Sequence, residues 1–216
     1  MIVSHSHKLV YLAPPKTGSV SIKQCLMREP FNAVVIGDHA HHDVQWIPKL
    51  KDYFYFMTVR HPYPRMYSLW RMACNHRTLY LRNSKRWAFG RVWGIWFAER
   101  EPTFEEFLWQ KVKGGPEVRH FRKVWRCSWG LEQLPKNLPV TVVHQERYYQ
   151  GLQNVPALVP HIEQIGHANS NLDRKKTHWS EAVTQACADR IRKLWGEDFT
   201  RFGYTRDLKK AKRNLP

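Results

Sequence analysis

LVYLAPPKTGSVS, residues 9–21, decides the fold of this chain. Its apolar run, residues 9–13, predicts a buried strand. The run breaks at Pro14-Pro15 and opens into Lys16-Thr17-Gly18-Ser19, and a helical stretch begins near Val20. Strand, small-residue turn and helix make a geometry that cradles phosphate: backbone N–H groups at the helix start face the anion, and the helix dipole favours negative charge there. Lys16 adds a point charge, while Thr17, Ser19 and Ser21 add hydroxyl donors. The order departs from G-x-x-x-x-G-K-[ST], because the lysine precedes the glycine and no glycine opens the loop. Taken alone, the stretch also suits an ordinary strand–turn–helix joint with a polar turn.

A second segment, YFYFMTVRHPYPRMYSLWRM at residues 53–72, has the same logic. Residues 53–59 are aromatic and β-branched and predict another buried strand. Arg60-His61-Pro62 ends it, and a helix follows with Arg65 and Ser68 in its first turns. Arg60 thus falls at a strand's C-terminal end, where open α/β sheets bind ligands. The spacing does not stack Arg60, Arg65 and Ser68 on one helix face, but Arg60 and Ser68 converge if Arg60 reaches over the helix. Taken singly, Arg60 reads as a surface arginine and Ser68 as a polar helix position.

Together the two segments resemble the sulfotransferases that use 3′-phosphoadenosine 5′-phosphosulfate. PKTGSVSI, from Pro15 through Val20 and Ser21, is similar to that family's 5′-phosphosulfate loop, and VRHPYPRMYS is similar to its 3′-phosphate motif. Asn169-Ser170-Asn171, a helix, and then Asp198-Phe199-Thr200-Arg201-Phe202-Gly203-Tyr204 resemble the ending of carbohydrate sulfotransferases and their soluble microbial and viral relatives. The resemblance spans roughly residues 8–205, apart from an unmatched middle at about 76–130.

Composition fits this class. The chain has 216 residues, 35 Lys+Arg against 18 Asp+Glu, and a formal charge of +17. One domain is expected, residues 1–216, with 205–216 a basic flexible tail in which Lys209, Lys210, Lys212 and Arg213 cluster. The excess of positive charge favours anionic partners or simple solubility. Cys25, Cys74, Cys127 and Cys187 are widely separated and form no C-x-x-C pair, which argues against a zinc ribbon or dithiol site. Cys25 is expected in the core. No run approaches the ~18 apolar residues of a membrane span. The expectation is a soluble, cytoplasmic protein.

Strands are expected at 8–13, 33–36, 53–59 and 139–143. Helices are expected near 19–28 and 63–76, at 102–112 with Thr103 and Glu106 as a capping box, and at 180–195 with Ser180 as cap. Strands alternating with helices argue for an α/β fold: a three-layer sandwich, a central parallel sheet flanked by helices, with a P-loop-like phosphosulfate-binding loop.

The loop Asp38-His39-Ala40-His41-His42-Asp43 follows the second of these strands. Sulfuryl transfer to an alcohol needs a base near the acceptor hydroxyl, and histidine suits neutral pH. The resemblance implies a catalytic histidine here, His39 or His41. A metal site from His39, His41 and Asp43 and a plain solvated loop are the competing readings; one short loop rarely supplies a whole coordination shell, and no metal is expected. Trp87, Trp93, Trp96 and Phe97 suit either an acceptor cleft or, by their helical spacing, the core. The resemblance also places Arg174, Lys175 and Lys176 over the nucleotide, and it matches Glu146 to a recurrent glutamate that is otherwise a structural charge partner.

The implied reaction moves a sulfuryl group from 3′-phosphoadenosine 5′-phosphosulfate, the co-substrate, to a hydroxyl of a glycan, glycolipid, small molecule or peptide tyrosine. Lys16 would offset charge as adenosine 3′,5′-bisphosphate leaves. Two alternatives stand beside it. A nucleotide kinase would want a Walker lysine and a magnesium-binding aspartate. A basic nucleic-acid-binding protein would want a recognition motif, and none is present.

Overall fold

The computed structural model describes residues 1–36, 44–75, 102–109, 126–166 and 177–215. They gather into two compact units, one from residues 1–61 and 124–175, the other from 62–123 and 176–215. The chain is a mixed α/β protein, a five-stranded sheet with helices. Among the described residues no helix is long and apolar enough to cross a membrane.

The first unit holds the sheet. β1 (Ile2–Ser4), β2 (Leu9–Leu12), β3 (Val34–Val35), β4 (Phe54–Val59) and β5 (Val140–His144) lie in the order β3-β1-β2-β4-β5. β2 pairs in parallel with β4, and β4 with β5. β1 is antiparallel to both β2 and β3, so four strands run one way and β1 runs against them. The parallel sheet expected from sequence is therefore mixed. The reason is the length of the first connection: only residues 5–8 separate β1 from β2, and a parallel crossover needs a dozen or more. Lys8 closes that turn at φ +45°.

β2 and most of β4 are buried, as the continuous apolar runs LVYL and FYFMTV require of strands covered on both faces. Helix α1 (Ser19–Leu26) turns Ile22, Cys25 and Leu26 inward, the i, i+3, i+4 spacing of one helix face. They join Ile2, Leu9, Tyr11 and Phe56 from the sheet in one core. Cys25 lies where expected, and all four cysteines are buried.

The described residues of the second unit are helical or in turns. Helix Pro62–Asn75 carries Arg65, fully buried and paired with Asp198 at 3.0 Å. Helix Phe104–Leu108 has the expected capping box, with the Glu106 amide donating to Thr103 and the Thr103 amide donating to Glu106. The single helix expected at 180–195 is instead two, Trp179–Ala182 and Gln185–Arg201. Val183 is extended at φ −84°, ψ 98°, and Thr184 starts the second helix by accepting from the Cys187 amide at 3.2 Å. Ser180 is not the cap; His178 serves the first helix and Thr184 the second. Within residues 205–216, where a basic tail was expected, Leu208–Asn214 is helical, capped by Asp207, with Leu208 and Ala211 buried.

Candidate functional site

Because β2, β4 and β5 are parallel, the segments that follow them leave the sheet at one rim. Those segments are the turn at 13–18, Arg60-His61, and Gln145-Glu146. This is the strand-end position at which open α/β sheets bind ligands. β3 also reaches this rim, but β1 separates it from β2, so its end lies about 10 Å from that of β2.

The turn after β2 is conformationally costly. Lys16 has φ +67° and Gly18 φ +82°, both left-handed. Glycine takes this region without a Cβ clash, whereas a lysine there costs about 1–2 kcal/mol. Between them Thr17 is fully buried. Its hydroxyl donates to the Pro14 carbonyl at 2.7 Å and meets the Thr58 hydroxyl at 2.7 Å. Thr58 in turn meets the Tyr11 hydroxyl at 2.6 Å. The Thr17 hydroxyl, expected as a ligand donor, thus faces the protein interior. What Thr17 has to offer an anion is its main-chain N–H. Gly18 is also the N-cap of α1 and brings no capping side chain.

The segment after β5 braces this turn. Tyr148 Oη donates to the Gly18 carbonyl at 3.4 Å. A Cβ on Gly18 would lie 3.5 Å from both Gln145 Cγ and Tyr148 Cε2, so glycine serves close packing as well as φ. Burial pushes the Tyr148 hydroxyl far above the usual tyrosine range, keeping it a neutral donor. Glu146 accepts from the His61 amide at 2.7 Å and so ties the end of β4 to the segment after β5. His144, which sequence reading passed over, ends β5 opposite Val59. Burial lowers its pKa, against the pull of Glu146, so the imidazole is neutral at pH 7. Its signal in the sequence was slight: a lone histidine at the end of a short valine-rich strand.

Of the residues singled out from sequence, Pro15, Lys16, Thr17, Gly18, Ser19, Val20 and Ser21 lie on this rim with Arg60. Lys16, Ser19, Ser21 and Arg60 are half-buried, and Val20 is 40 % exposed. Ser68 is half-buried in helix Pro62–Asn75 of the second unit. His39, His41, Arg174, Lys175 and the tryptophans at 87, 93 and 96 lie outside the described residues. Arg65, which lies between Arg60 and Ser68 in sequence, is part of the buried ion pair with Asp198.

What this rim can do chemically is bind an anion: helix-start amides, a lysine and an arginine on neighbouring strand ends supply positive charge and donors. Comparison with known proteins adds one finding. A family model described as "Sulfotransferase family" matches residues 1–205. No curated protein matches, and neither does any solved structure.

Proposed function

Because the chain belongs to the sulfotransferase family and is an enzyme of sulfuryl transfer, we propose that its donor is 3′-phosphoadenosine 5′-phosphosulfate and that the turn at 15–21 holds the donor's 5′-phosphosulfate. The observation that carries this reading is the turn itself. Two left-handed residues, Lys16 and Gly18, lie between a buried strand and a helix start, beside Arg60 at the end of the adjacent parallel strand. Strain of this kind persists where its surroundings fix it, and it gathers at functional sites.

In the proposed reaction the amides at the start of α1 and the Lys16 ammonium hold the phosphosulfate. The roles of Arg60 and Ser68 with the 3′-phosphate rest on their spacing in sequence, as do those of Arg174 and Lys175 over the nucleotide. The acceptor oxygen attacks sulfur in line and loses its proton to His39 or His41. The bond from sulfur to the bridging phosphate oxygen breaks, and adenosine 3′,5′-bisphosphate leaves with the electron pair, its charge offset by Lys16. Positioned charge supplies most of the catalysis in such transfers. The acceptor is a hydroxyl of a carbohydrate, lipid, small molecule or peptide tyrosine.

A thermal-shift comparison of adenosine 3′,5′-bisphosphate, AMP and ATP without magnesium tests the donor. A ligand that binds only the native state raises its apparent stability by mass action. Stabilisation by the bisphosphate well beyond that by AMP or ATP is the expected result. No stabilisation by the bisphosphate would remove Arg60 and Ser68 from the 3′-phosphate. Stabilisation by ATP only with magnesium would turn the reading towards phosphoryl transfer.

A further inference from the structure

We propose that a buried chain of hydroxyls, Tyr11 to Thr58 to Thr17 to the Pro14 carbonyl, holds Lys16 in its left-handed conformation. On this view Tyr11, Thr58 and Thr17 are positioning residues for the loop, and the proposal rests on that loop being the phosphosulfate site.

The direction of the chain follows from proton counting. Each hydroxyl carries one proton. Thr17 gives its proton to the Pro14 carbonyl, so towards Thr58 it accepts. Thr58 then gives its proton to Thr17 and accepts from Tyr11. All three side chains have no exposed surface, so no water competes for these bonds. Bonds aligned in one direction polarise one another and strengthen together.

The chain crosses three elements. Tyr11 belongs to β2, Thr58 to the neighbouring β4, and Thr17 to the turn. Tyr11 is further fixed by stacking on Phe56, ring centroids 4.6 Å apart. The sheet therefore grips the turn at Thr17, and the Thr17 hydroxyl in turn holds the Pro14 carbonyl, so that Pro15 and Lys16 lie between two tied residues. With both points fixed, the backbone between them has little freedom to relax out of the left-handed region.

Stability alone gives no reason for hydroxyls here. Replacing paired buried hydroxyls by apolar groups of the same shape is close to neutral, whereas leaving one partner unpaired costs about 1–3 kcal/mol. Phenylalanine at 11, valine at 58 and valine at 17 would fill the same space in an apolar sheet. What the hydroxyls add is a directed grip on the Pro14 carbonyl that a methyl group lacks.

The test is a double-mutant cycle read as the Kd for adenosine 3′,5′-bisphosphate by calorimetry, with the unliganded Tm recorded for each variant. Lys16→Ala alone should weaken binding about tenfold or more. Thr58→Val should weaken it about fivefold on the natural background and under twofold on the Lys16→Ala background, the non-additivity of residues acting through one another. Thr58→Ser, which keeps the hydroxyl, should restore affinity. Should Thr58→Val not fold, Tyr11→Phe keeps the stacked ring and runs in the same cycle, with a smaller loss of the same pattern. An equal loss on both backgrounds would overturn the proposal, since the hydroxyls would then act on stability or on the amides and not through Lys16. So would an unchanged affinity for Thr58→Val where Lys16→Ala is impaired. If Lys16→Ala itself binds normally, the phosphosulfate reading of the loop fails first, and the positioning role falls with it.

Discussion

Gly18 and Gly203 share a left-handed backbone, at φ +82° and +67°, in surroundings of opposite kind. Gly203 follows the C-terminal end of helix Gln185–Arg201, and a Cβ there would meet nothing within 4 Å. It is an ordinary helix stop. Gly18 starts a helix, is crowded by Gln145 and Tyr148, and stands two residues from Lys16, which takes the same conformation with a side chain attached. The segments around them divide in the same way. Asp198 pairs with Arg65, Phe199 packs edge-on against Tyr63, Phe202 is buried, and the Tyr204 amide donates to the Phe199 carbonyl. These contacts are those of packing. The loop at 14–18 instead keeps a strained lysine at a strand-end rim. Two stretches that both resemble one family in sequence thus differ in what they do for the molecule.

Asp198→Ala tests the packing side of that contrast and should have the largest effect. It leaves the Arg65 charge buried beside an empty site, which costs roughly 3–5 kcal/mol. Denaturant unfolding should show the loss, while the affinity of surviving folded protein for adenosine 3′,5′-bisphosphate stays near normal. If affinity fell and stability did not, Asp198 would belong to the chemistry and the contrast would collapse. Lys16→Ala is the mirror experiment. Turnover should fall about 10²–10³-fold, the usual loss of one positioned charge-stabilising donor, with Tm little changed. Turnover can be followed as release of adenosine 3′,5′-bisphosphate, and an unaltered rate would take Lys16 out of the mechanism.

Much of this was legible in the sequence, for a reason that differs by element. β2, β4 and α1 announce themselves because continuous apolar runs and an i, i+3, i+4 face are local signals. The capping box at Thr103 and Glu106 is local too. β1 escaped notice because three residues at a chain start carry no period, although a four-residue turn before an apolar run allows only a hairpin. The helix break at Val183 was hidden by apolar spacing that continues across it. At the site, residue types were legible but orientations were not. The sequence offered Thr17 as a hydroxyl for the ligand, and only the proximity of Thr58, 41 positions away, shows where that hydroxyl points. Arg65 likewise had no role legible in the sequence until Asp198, 133 positions on, supplied its partner.

A pair of glycine substitutions sharpens the comparison at smaller scale. Gly203→Ala should cost about 1 kcal/mol, the left-handed penalty alone, because the new methyl group meets open space. Gly18→Ala adds contact with Gln145 and Tyr148 to the same penalty and disturbs the start of α1. Its stability loss should be somewhat larger, and its affinity for the bisphosphate should fall where that of Gly203→Ala does not. Equal behaviour of the two variants would make Gly18 another helix-terminus glycine.

The smallest effect concerns pH and the dryness of the rim. Burial is the main cause holding His144 below the ordinary histidine range, and it outweighs the Glu146 carboxylate that pulls the other way. A group whose folded pKa is depressed binds its proton more readily when unfolded. Its neutral form therefore leaves stability intact above the unfolded value of about 6.5, and stability is lost as pH falls from there through the lower folded value. The Tm of the natural chain should consequently drop more between pH 7.5 and pH 5 than that of His144→Gln, and the difference between the two curves isolates His144 from the other histidines. If the two curves run parallel, water reaches the end of β5 and His144 titrates as an exposed imidazole. The tie that Glu146 makes to the end of β4 and the brace that Tyr148 makes against the loop would then stand in a wet rim, where the bonds to the His61 amide and the Gly18 carbonyl are weaker than in a dry one.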